Sequence, residues 1–225
     1  MLKLLLVGLL FSLNTYAADN SITDKLCFSK LSSGNDYELV HKTRNVSATE
    51  HKATDKKIDV VEFFWYGCSH CYTTEPFISK YAENNKDKIN FVKFPVSFPG
   101  WETGTKFYYT LEAMGLQKKL NTATFEAIHK YRKDILNNPE MRKEFLIEQH
   151  VNPVKFEQLF NSFTINLKNT QSADIVKSYG LTSTPTFMVS DTYITSPSMV
   201  QSHEKAIQVI DAIVNKDNPT YCKAK

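Results

Sequence analysis

Two cysteines three residues apart, Cys68 and Cys71, are the residues of this chain best suited to chemistry. They enclose Ser69 and His70 and follow a largely apolar run at residues 60–67. If a helix begins here, its unpaired N–H groups and the positive end of its dipole favour a thiolate at Cys68. A thiolate beside a second thiol can form and open a disulfide, so this spacing indicates thiol–disulfide exchange.

Position within such a helix assigns different roles to the two sulfurs. Cys68, at the N-cap end, is expected to be the exposed nucleophile of low pKa. Cys71 lies one turn further in and is expected to be the more buried, resolving thiol. His70, as a hydrogen-bond donor or a cation, would stabilise the Cys68 thiolate and with it the reduced form, which makes the disulfide a stronger oxidant.

Two other interpretations of the cysteine pair compete with thiol–disulfide exchange. A zinc site needs two more ligands at similar spacing, but Cys27 and Cys222 stand alone and the remaining histidines form no ligand pair. No metal site is therefore predicted. A purely structural disulfide would close a very short loop and would stabilise the fold little.

The elements around the cysteines follow a strand–helix–strand pattern. The apolar run at residues 58–65 suits a strand buried on both faces, and residues 69–84 are helical in pattern. A further strand is predicted at residues 89–96, which completes a βαβ unit. A short first strand is predicted at residues 35–40.

The middle of the chain is helical in pattern from residue 103 to residue 179. Asn138-Pro139 and Asn152-Pro153 each place an N-cap residue before a proline at the first helical position. Two short strands at residues 186–189 and 192–194 and a last amphipathic helix at residues 204–214 follow. Strands interrupted by a block of helices indicate an α/β fold that carries an insertion.

The start of the chain predicts export. A basic residue, Lys3, precedes an apolar run at residues 4–13, and small residues lead to a cleavage point after Ala17. The run is too short for a membrane anchor, and it lacks the amphipathic pattern of a buried terminal helix. The mature protein is expected in an oxidising compartment. Hydrophobic residues make up 42% and charged residues 23% of the chain, and the lysines are dispersed, which argues against nucleic-acid binding.

Residues 62–71, Glu-Phe-Phe-Trp-Tyr-Gly-Cys-Ser-His-Cys, resemble the active-site segment of the DsbA family of periplasmic thiol:disulfide oxidoreductases. That family usually carries C-P-H-C in an E-F-F context, and the resemblance extends from about residue 34 to residue 214. It implies a thioredoxin fold with an inserted all-helical domain. The expected division is a signal peptide at 1–17, the first thioredoxin-like part at 18–98, the helical insertion at 99–170, and the second thioredoxin-like part at 171–225.

The resemblance also implies four further site residues. Ser183-Thr184-Pro185-Thr186 matches the loop that carries the cis-proline of thioredoxin-like proteins. It makes Pro185 the cis-proline and Thr184 the residue that faces the sulfurs, both beside an extended substrate. Glu62 and Lys93, two charges in apolar strands, would meet beneath the active site and move protons for Cys71. The alternative is that each reaches a sheet edge.

The function implied is oxidation of dithiols in unfolded or folding secreted proteins, in the periplasm. A DsbB-type membrane oxidase would reoxidise the protein, and no cofactor is required because the electrons reside in sulfur. Ser69 replaces the usual proline and Thr184 the frequent valine, so an isomerase or reductase is the alternative. A chaperone-like peptide-binding module is the non-enzymatic alternative. Its groove would be lined by aromatic residues, for most of which core or inter-domain packing is the other interpretation: Trp65, Tyr66, Phe98 and Trp101.

Cys27 and Cys222 lie outside the region shared with the family, near the two ends of the chain. We expect them to form a second disulfide that fastens the N-terminal segment to the C-terminal tail. Intermolecular pairing and two free thiols are the alternatives.

Overall fold

The structure, a computed structural model, describes residues 26–41, 48 and 57–222. The predicted signal peptide, with its cleavage point after Ala17, lies outside these residues. Within the described part of the chain, none of the helices combines the length and apolar character that a membrane span requires.

Five strands form one mixed sheet. They lie side by side in the order β1-β5-β4-β2-β3. Strand β2 and the edge strand β3 are parallel, and the other neighbours are antiparallel. The strands are β1 Glu38–Leu39, β2 Ile58–Phe64, β3 Ile89–Pro95, β4 Thr186–Val189 and β5 Tyr193–Thr195. The parallel pair and the hairpin are the strands that the sequence predicts, to within one residue at each end.

Strand β2 is buried on both faces, as its apolar run predicts. Val60 packs with residues of the helices on one face, and Val61 and Phe63 pack into a separate cluster on the other. All three are completely inaccessible to solvent. A strand with both faces covered can be apolar at nearly every position, which explains why the run does not alternate.

The helix α1, Ser69–Asn84, follows β2 directly and begins at the cysteine pair. Pro76 lies inside it and has no N–H to donate to the carbonyl of Tyr72. The missing bond separates the first turn, which carries both cysteines, from the rest of the helix. Near the other end of the chain, a short helix α7, Pro197–Val200, leads into α8, His203–Val214, which packs against α1.

Five helices form a block between β3 and β4. They are α2 Glu102–Ala113, α3 Gln117–His129, α4 Pro139–Glu148, α5 Pro153–Phe160 and α6 Phe163–Ser178. The two predicted caps are confirmed: Asn138 accepts from the backbone of Glu140 and Met141, and Asn152 accepts from that of Lys155. These bonds satisfy N–H groups that the first turn leaves unpaired.

Helix α6 belongs to both the helical block and the sheet. Ile165 is buried in the core of the block, whereas Val176 is buried with the residues that cover β2. The hydroxyl of Ser172 donates to the carbonyl of Pro95 at the end of β3, at 2.5 Å. The predicted boundary at residue 170 therefore falls inside one continuous helix.

The first strand is shorter than predicted, because residues 34–37 form a turn instead. Gly34 has a φ of +86°, and the backbone N–H of Ser32 donates to the carboxylate of Asp36. This side-chain bond offers the chain an alternative to the extended conformation. Only Glu38 and Leu39 pair with β5.

Cys27 and Cys222 form a disulfide across 195 residues. Cys27 precedes a short 3-10 helix, Phe28–Lys30, which contacts α8. The tail before Cys222 is held by Tyr221, whose hydroxyl donates to Asp211 of α8 at 2.5 Å. The two ends of the described chain are thus fastened to the same helix.

Candidate active site

The cysteine pair lies at the N-terminus of α1, just after the end of β2. Cys68 is the N-cap residue, and its Sγ accepts from the backbone N–H of Cys71 at 3.3 Å. Cys68 is partly exposed, whereas Cys71 is fully buried, and both are free thiols in the structure. This is the division into an accessible and a buried sulfur that the sequence predicts.

The environment of Cys68 favours its thiolate. Its pKa falls from the ordinary 9.0 to about 5, chiefly because the Cys71 thiol hydrogen-bonds it. The hydroxyl of Thr184 and the backbone N–H groups of Cys71 and His70 contribute in the same direction, against the opposing effect of burial. Burial has the reverse effect on Cys71, whose pKa lies well above its usual range. One sulfur is therefore poised to ionise and the other to stay protonated.

The loop before β4 approaches the accessible sulfur. The peptide bond between Thr184 and Pro185 is cis, as the resemblance implies. The Cys68 thiol donates to the carbonyl of Thr184 at 3.4 Å. The Thr184 Oγ1 atom is buried and has no hydrogen-bond partner in the structure. An ionised Cys68 would give this hydroxyl an acceptor, which explains its effect on the thiol.

A group of three charges lies beneath the cysteines. Lys93 Nζ donates to Glu62 at 2.5 Å and to Glu75 at 2.6 Å. The side chain of Glu62 is completely buried, and those of Lys93 and Glu75 are about nine-tenths buried. Glu62 and Lys93 meet because the parallel register of β2 and β3 sets them opposite one another. The alternative, that each side chain extends to an edge of the sheet, is wrong for Glu62 and for Lys93.

Glu75 is the third member of this group, and the sequence analysis does not find it. It lies four residues after Cys71 on α1, so the two occupy the same helix face, and that spacing is the signal that could have revealed it. Its other oxygen accepts from Ser79 and from Asn121, each at 2.7 Å. Asn121 belongs to α3, so the helical block helps to hold the charges in place.

The three charges leave one carboxylate incompletely satisfied. Glu62 Oε1 is buried without a hydrogen-bond partner. Burial raises the pKa of Glu62 to about 7, in spite of the opposing charge of Lys93. Burial alone would lower the pKa of Lys93, but the charges of Glu62 and Glu75 outweigh it and the pKa lies above its usual value. Glu62 can thus gain or lose a proton near neutral pH while Lys93 stays charged.

The residues between the cysteines face outward. Ser69 and His70 are both exposed. The ring of His70 lies against that of His203, with centroids 6.0 Å apart, whereas its backbone N–H is the group directed at Cys68. Its predicted action as a side-chain donor or cation stays a prediction.

The aromatic residues near the site are largely packed against each other. Trp65 stacks on Trp101 with ring centroids 4.3 Å apart, and Phe98 meets Trp101 edge to face. Tyr66 is 1% exposed and lies in the core of the helical block. Its predicted place in a surface groove is wrong, because the apolar run of β2 continues into that core.

Metal ligation has no candidate among the residues that the structure describes. No group of three or more histidine, cysteine or carboxylate side chains within them is arranged to hold an ion.

Comparisons with known proteins agree with this chemistry. The thioredoxin family model matches residues 50–209. The thiol:disulfide interchange protein DsbA of Burkholderia cepacia is 36% identical over 185 residues, covering 82% of this chain and 84% of the relative. The DsbA of Pseudomonas syringae pv. tomato is also 36% identical, over 77% of this chain and 81% of its own length.

Solved structures give the same result for the fold. The crystal structure of Pseudomonas aeruginosa DsbA has a TM-score of 0.73 and 31% identity, covering 88% of this chain and 100% of that one. The predicted fold class, a thioredoxin fold with an inserted helical domain, is confirmed. With its cysteine pair at the start of α1, this chain belongs to the DsbA family of thiol:disulfide oxidoreductases.

Proposed function

We propose that this oxidoreductase works as an oxidase, which donates a Cys68–Cys71 disulfide to secreted proteins as they fold. The contrast between the two thiols is the observation that supports this direction most strongly. Cys68 is accessible and has a pKa of about 5, whereas Cys71 is buried and has a raised pKa. A stable Cys68 thiolate stabilises the reduced pair, and a stable reduced pair makes its disulfide a strong oxidant.

The reaction transfers two electrons in two exchange steps. A client thiolate attacks Cys68 Sγ, the Cys68–Cys71 bond breaks, and Cys71 leaves with the electron pair and takes up a proton. The second client thiolate then attacks the client sulfur of the mixed disulfide and releases Cys68 as a thiolate. The client gains a disulfide, and Cys68 and Cys71 are left reduced.

Glu62 and Lys93 serve the protonation of Cys71 in this scheme. Glu62 has a pKa of about 7 and an unpaired oxygen, and its charge acts on Cys71 directly. A protonated Glu62 can therefore neutralise Cys71 as that thiolate leaves. Lys93 holds the other oxygen of Glu62 and retains its own charge throughout.

The cis-proline loop is the proposed site for the client backbone. The bond between Thr184 and Pro185 turns the chain sharply beside Cys68. Its backbone groups would pair with an extended client segment and hold a client sulfur near Cys68. Ser69, exposed between the cysteines, would tune the oxidising strength.

The proposal places the protein in the periplasm, exported by the signal peptide cleaved after Ala17. The basic start and short apolar run of the sequence support export. The Cys27–Cys222 disulfide supports an oxidising compartment. Reoxidation by a DsbB-type membrane oxidase would complete the cycle, and the membership of the DsbA family supports that partner.

The central test is oxidation of a reduced two-cysteine peptide by the oxidised protein. The wild type and a Cys27→Ser/Cys222→Ser control should each oxidise about one equivalent, and Cys68→Ser should oxidise none. Cys71→Ser should accumulate a mixed disulfide when offered a disulfide peptide, because it lacks the resolving thiol. Oxidation that persists in Cys68→Ser would refute the proposal, and peptide binding without oxidation in the wild type would favour the chaperone-like alternative.

An isomerase or reductase is the second candidate, because Ser69 and Thr184 depart from the usual residues at their positions. The equilibrium of the cysteine pair with glutathione distinguishes the two directions. An oxidase pair is reduced even when glutathione is mostly oxidised, whereas a reductase pair stays a disulfide under the same conditions. The second outcome would reverse the proposed direction.

A further inference from the structure

His203, the first residue of α8, lies against the first turn of α1. Its ring stacks with that of His70, with centroids 6.0 Å apart and planes inclined by 26°. Its Nδ1 atom is 2.5 Å from the hydroxyl of Thr74, which lies one turn beyond His70. His203 lies 133 positions after His70 in the sequence, so its contact with this turn arises from the packing of α8 on α1.

The hydrogen bonds fix which nitrogen of His203 carries a proton. The Thr74 hydroxyl has a single hydrogen, and its oxygen lies 2.7 Å from the carbonyl of His70, which can only accept. That hydrogen therefore points to His70, and His203 must supply its own Nδ1 hydrogen to Thr74. Because Thr74 is completely buried, water does not compete for these bonds. Nδ1 of His203 is therefore the donor in the contact with Thr74.

The resulting chain of bonds reaches the backbone between the cysteines. His203 donates to Thr74, Thr74 donates to the carbonyl of His70, and the backbone N–H groups of His70 and Cys71 act on the Cys68 sulfur. Pro76 has removed a helical bond from the same region of α1. The contact from α8 thus supports a turn whose attachment to its own helix is weakened.

We propose that His203 is a positioning residue for exchange at Cys68: it braces the first turn of α1 through Thr74 and so holds the backbone N–H groups of that turn in place beside the sulfur. The proposal deepens the exchange reaction proposed above and rests on it. His203 has no contact with the client in this scheme and acts through α1.

Three substitutions test the brace. His203→Asn keeps an N–H donor near the Nδ1 position. His203→Leu removes that donor. Thr74→Val removes the hydroxyl that links the helices and nearly preserves the side-chain volume. His150→Asn, at an exposed position between α4 and α5, is the matched control.

The readouts are the thiolate absorbance of Cys68 against pH and the equilibrium of the cysteine pair with glutathione at pH 7, on the full mature chain. We expect His203→Leu and Thr74→Val to shift the equilibrium toward the disulfide at least threefold. His203→Asn should match the wild type, because it keeps the donor. The control should match the wild type as well.

Each contrary outcome has a defined meaning. If His203→Leu, Thr74→Val and the control coincide, the brace does not exist. If His203→Asn shifts the equilibrium as far as His203→Leu, the hydrogen bond to Thr74 is not what His203 contributes. Should His203→Leu fail to fold, Thr74→Val still decides whether the brace exists. Failure of the oxidase proposal is distinguishable, because in that case the wild type itself would not oxidise the peptide.

Discussion

The hydroxyl of Thr184 is buried beside Cys68 and lacks a hydrogen-bond partner while Cys68 is a thiol. Ionisation of Cys68 supplies an acceptor, so the hydroxyl stabilises the thiolate but not the protonated thiol. The side chain at position 184 therefore affects the oxidising strength of the Cys68–Cys71 pair.

Thr184→Val should raise the pKa of Cys68 above about 5, because valine keeps the shape and removes the donor. Thiolate absorbance during a pH titration measures the change. Thr182→Val, an exposed position two residues earlier, serves as the control and should leave the titration unaltered. A Thr184→Val curve that overlays the wild type would show that the backbone and Cys71 alone set the pKa.

Glu62 should make the reduced protein less stable as the pH rises. Its pKa is about 7 in the fold and 4.5 in the absence of the protein environment, so the native state binds the proton more tightly than the unfolded chain. Stability is then lost as the pH rises from about 4.5 to 7. Glu62→Gln should gain stability over the wild type across this range, by up to about 3 kcal/mol at pH 8.

Urea unfolding at a series of pH values measures this difference. The two proteins should be nearly equally stable at pH 4.5, where Glu62 is mostly protonated. Glu83→Gln, at an exposed site on the same helix as the cysteines, should follow the wild type at every pH. A Glu62→Gln variant that becomes less stable than the wild type as the pH rises would contradict the argument.

The sequence reveals part of this group of residues. Glu62 and Lys93 stand out because charged residues interrupt two apolar strands, and both prove to be buried. Glu75 does not stand out, because a glutamate on a helix is usually exposed. Thr74 and His203 are missed for a different reason: their contact depends on how α8 packs against α1, which no local pattern encodes.

At the scale of elements, β2 is joined to α2 through the indole of Trp65. A Cβ atom on Gly104 would lie 2.1 Å from Trp65 Nε1, and one on Gly67 would lie 2.2 Å from the same ring. Neither glycine has a positive φ, so the close approach of the ring is what requires them. The absence of side chains at these two positions allows α2 to pack beside the cysteine-bearing turn.

Gly104→Ala should destabilise the protein by about 1–3 kcal/mol, as insertion into a packed site does. This direction is opposite to the intrinsic preference of a helix, in which alanine is better than glycine by about 0.5–1 kcal/mol. Chemical denaturation measures the effect. In a Trp65→Phe background the same change should be less harmful, because the nearest ring atoms are gone. Equal losses in both backgrounds would rule out the indole as the cause.

The long elements are predictable from the sequence, whereas two of the short ones, β1 and α7, are not. Strands β2 and β3 and helix α1 each have seven or more residues with a continuous pattern, and the sequence places them within a residue or two. The two residues of β1 are extended because β5 pairs with them. The four residues of α7 have no period to detect. Both depend on tertiary contacts.

At the scale of the whole molecule, the Cys27–Cys222 disulfide should contribute about 2–4 kcal/mol, because it restricts the unfolded chain. Cys27→Ser/Cys222→Ser should lower the free energy of unfolding by about that amount. The pKa of Cys68 should not change, because the active site lies at the N-terminal end of α8 and the tail is held near the other end of that helix. An unchanged unfolding midpoint would mean that the packing of the 3-10 helix and of Tyr221 suffices.

The separation of Cys27 from Cys222 also orders events during synthesis. The ribosome makes Cys27 195 residues before Cys222, an interval of about 10–40 s at ~5–20 residues per second. Cys68 and Cys71 emerge within that interval, so the first thiols available to Cys27 are not its partner in the finished structure. A newly made chain must therefore keep Cys27 reduced, or exchange an early bond, until its last segment arrives.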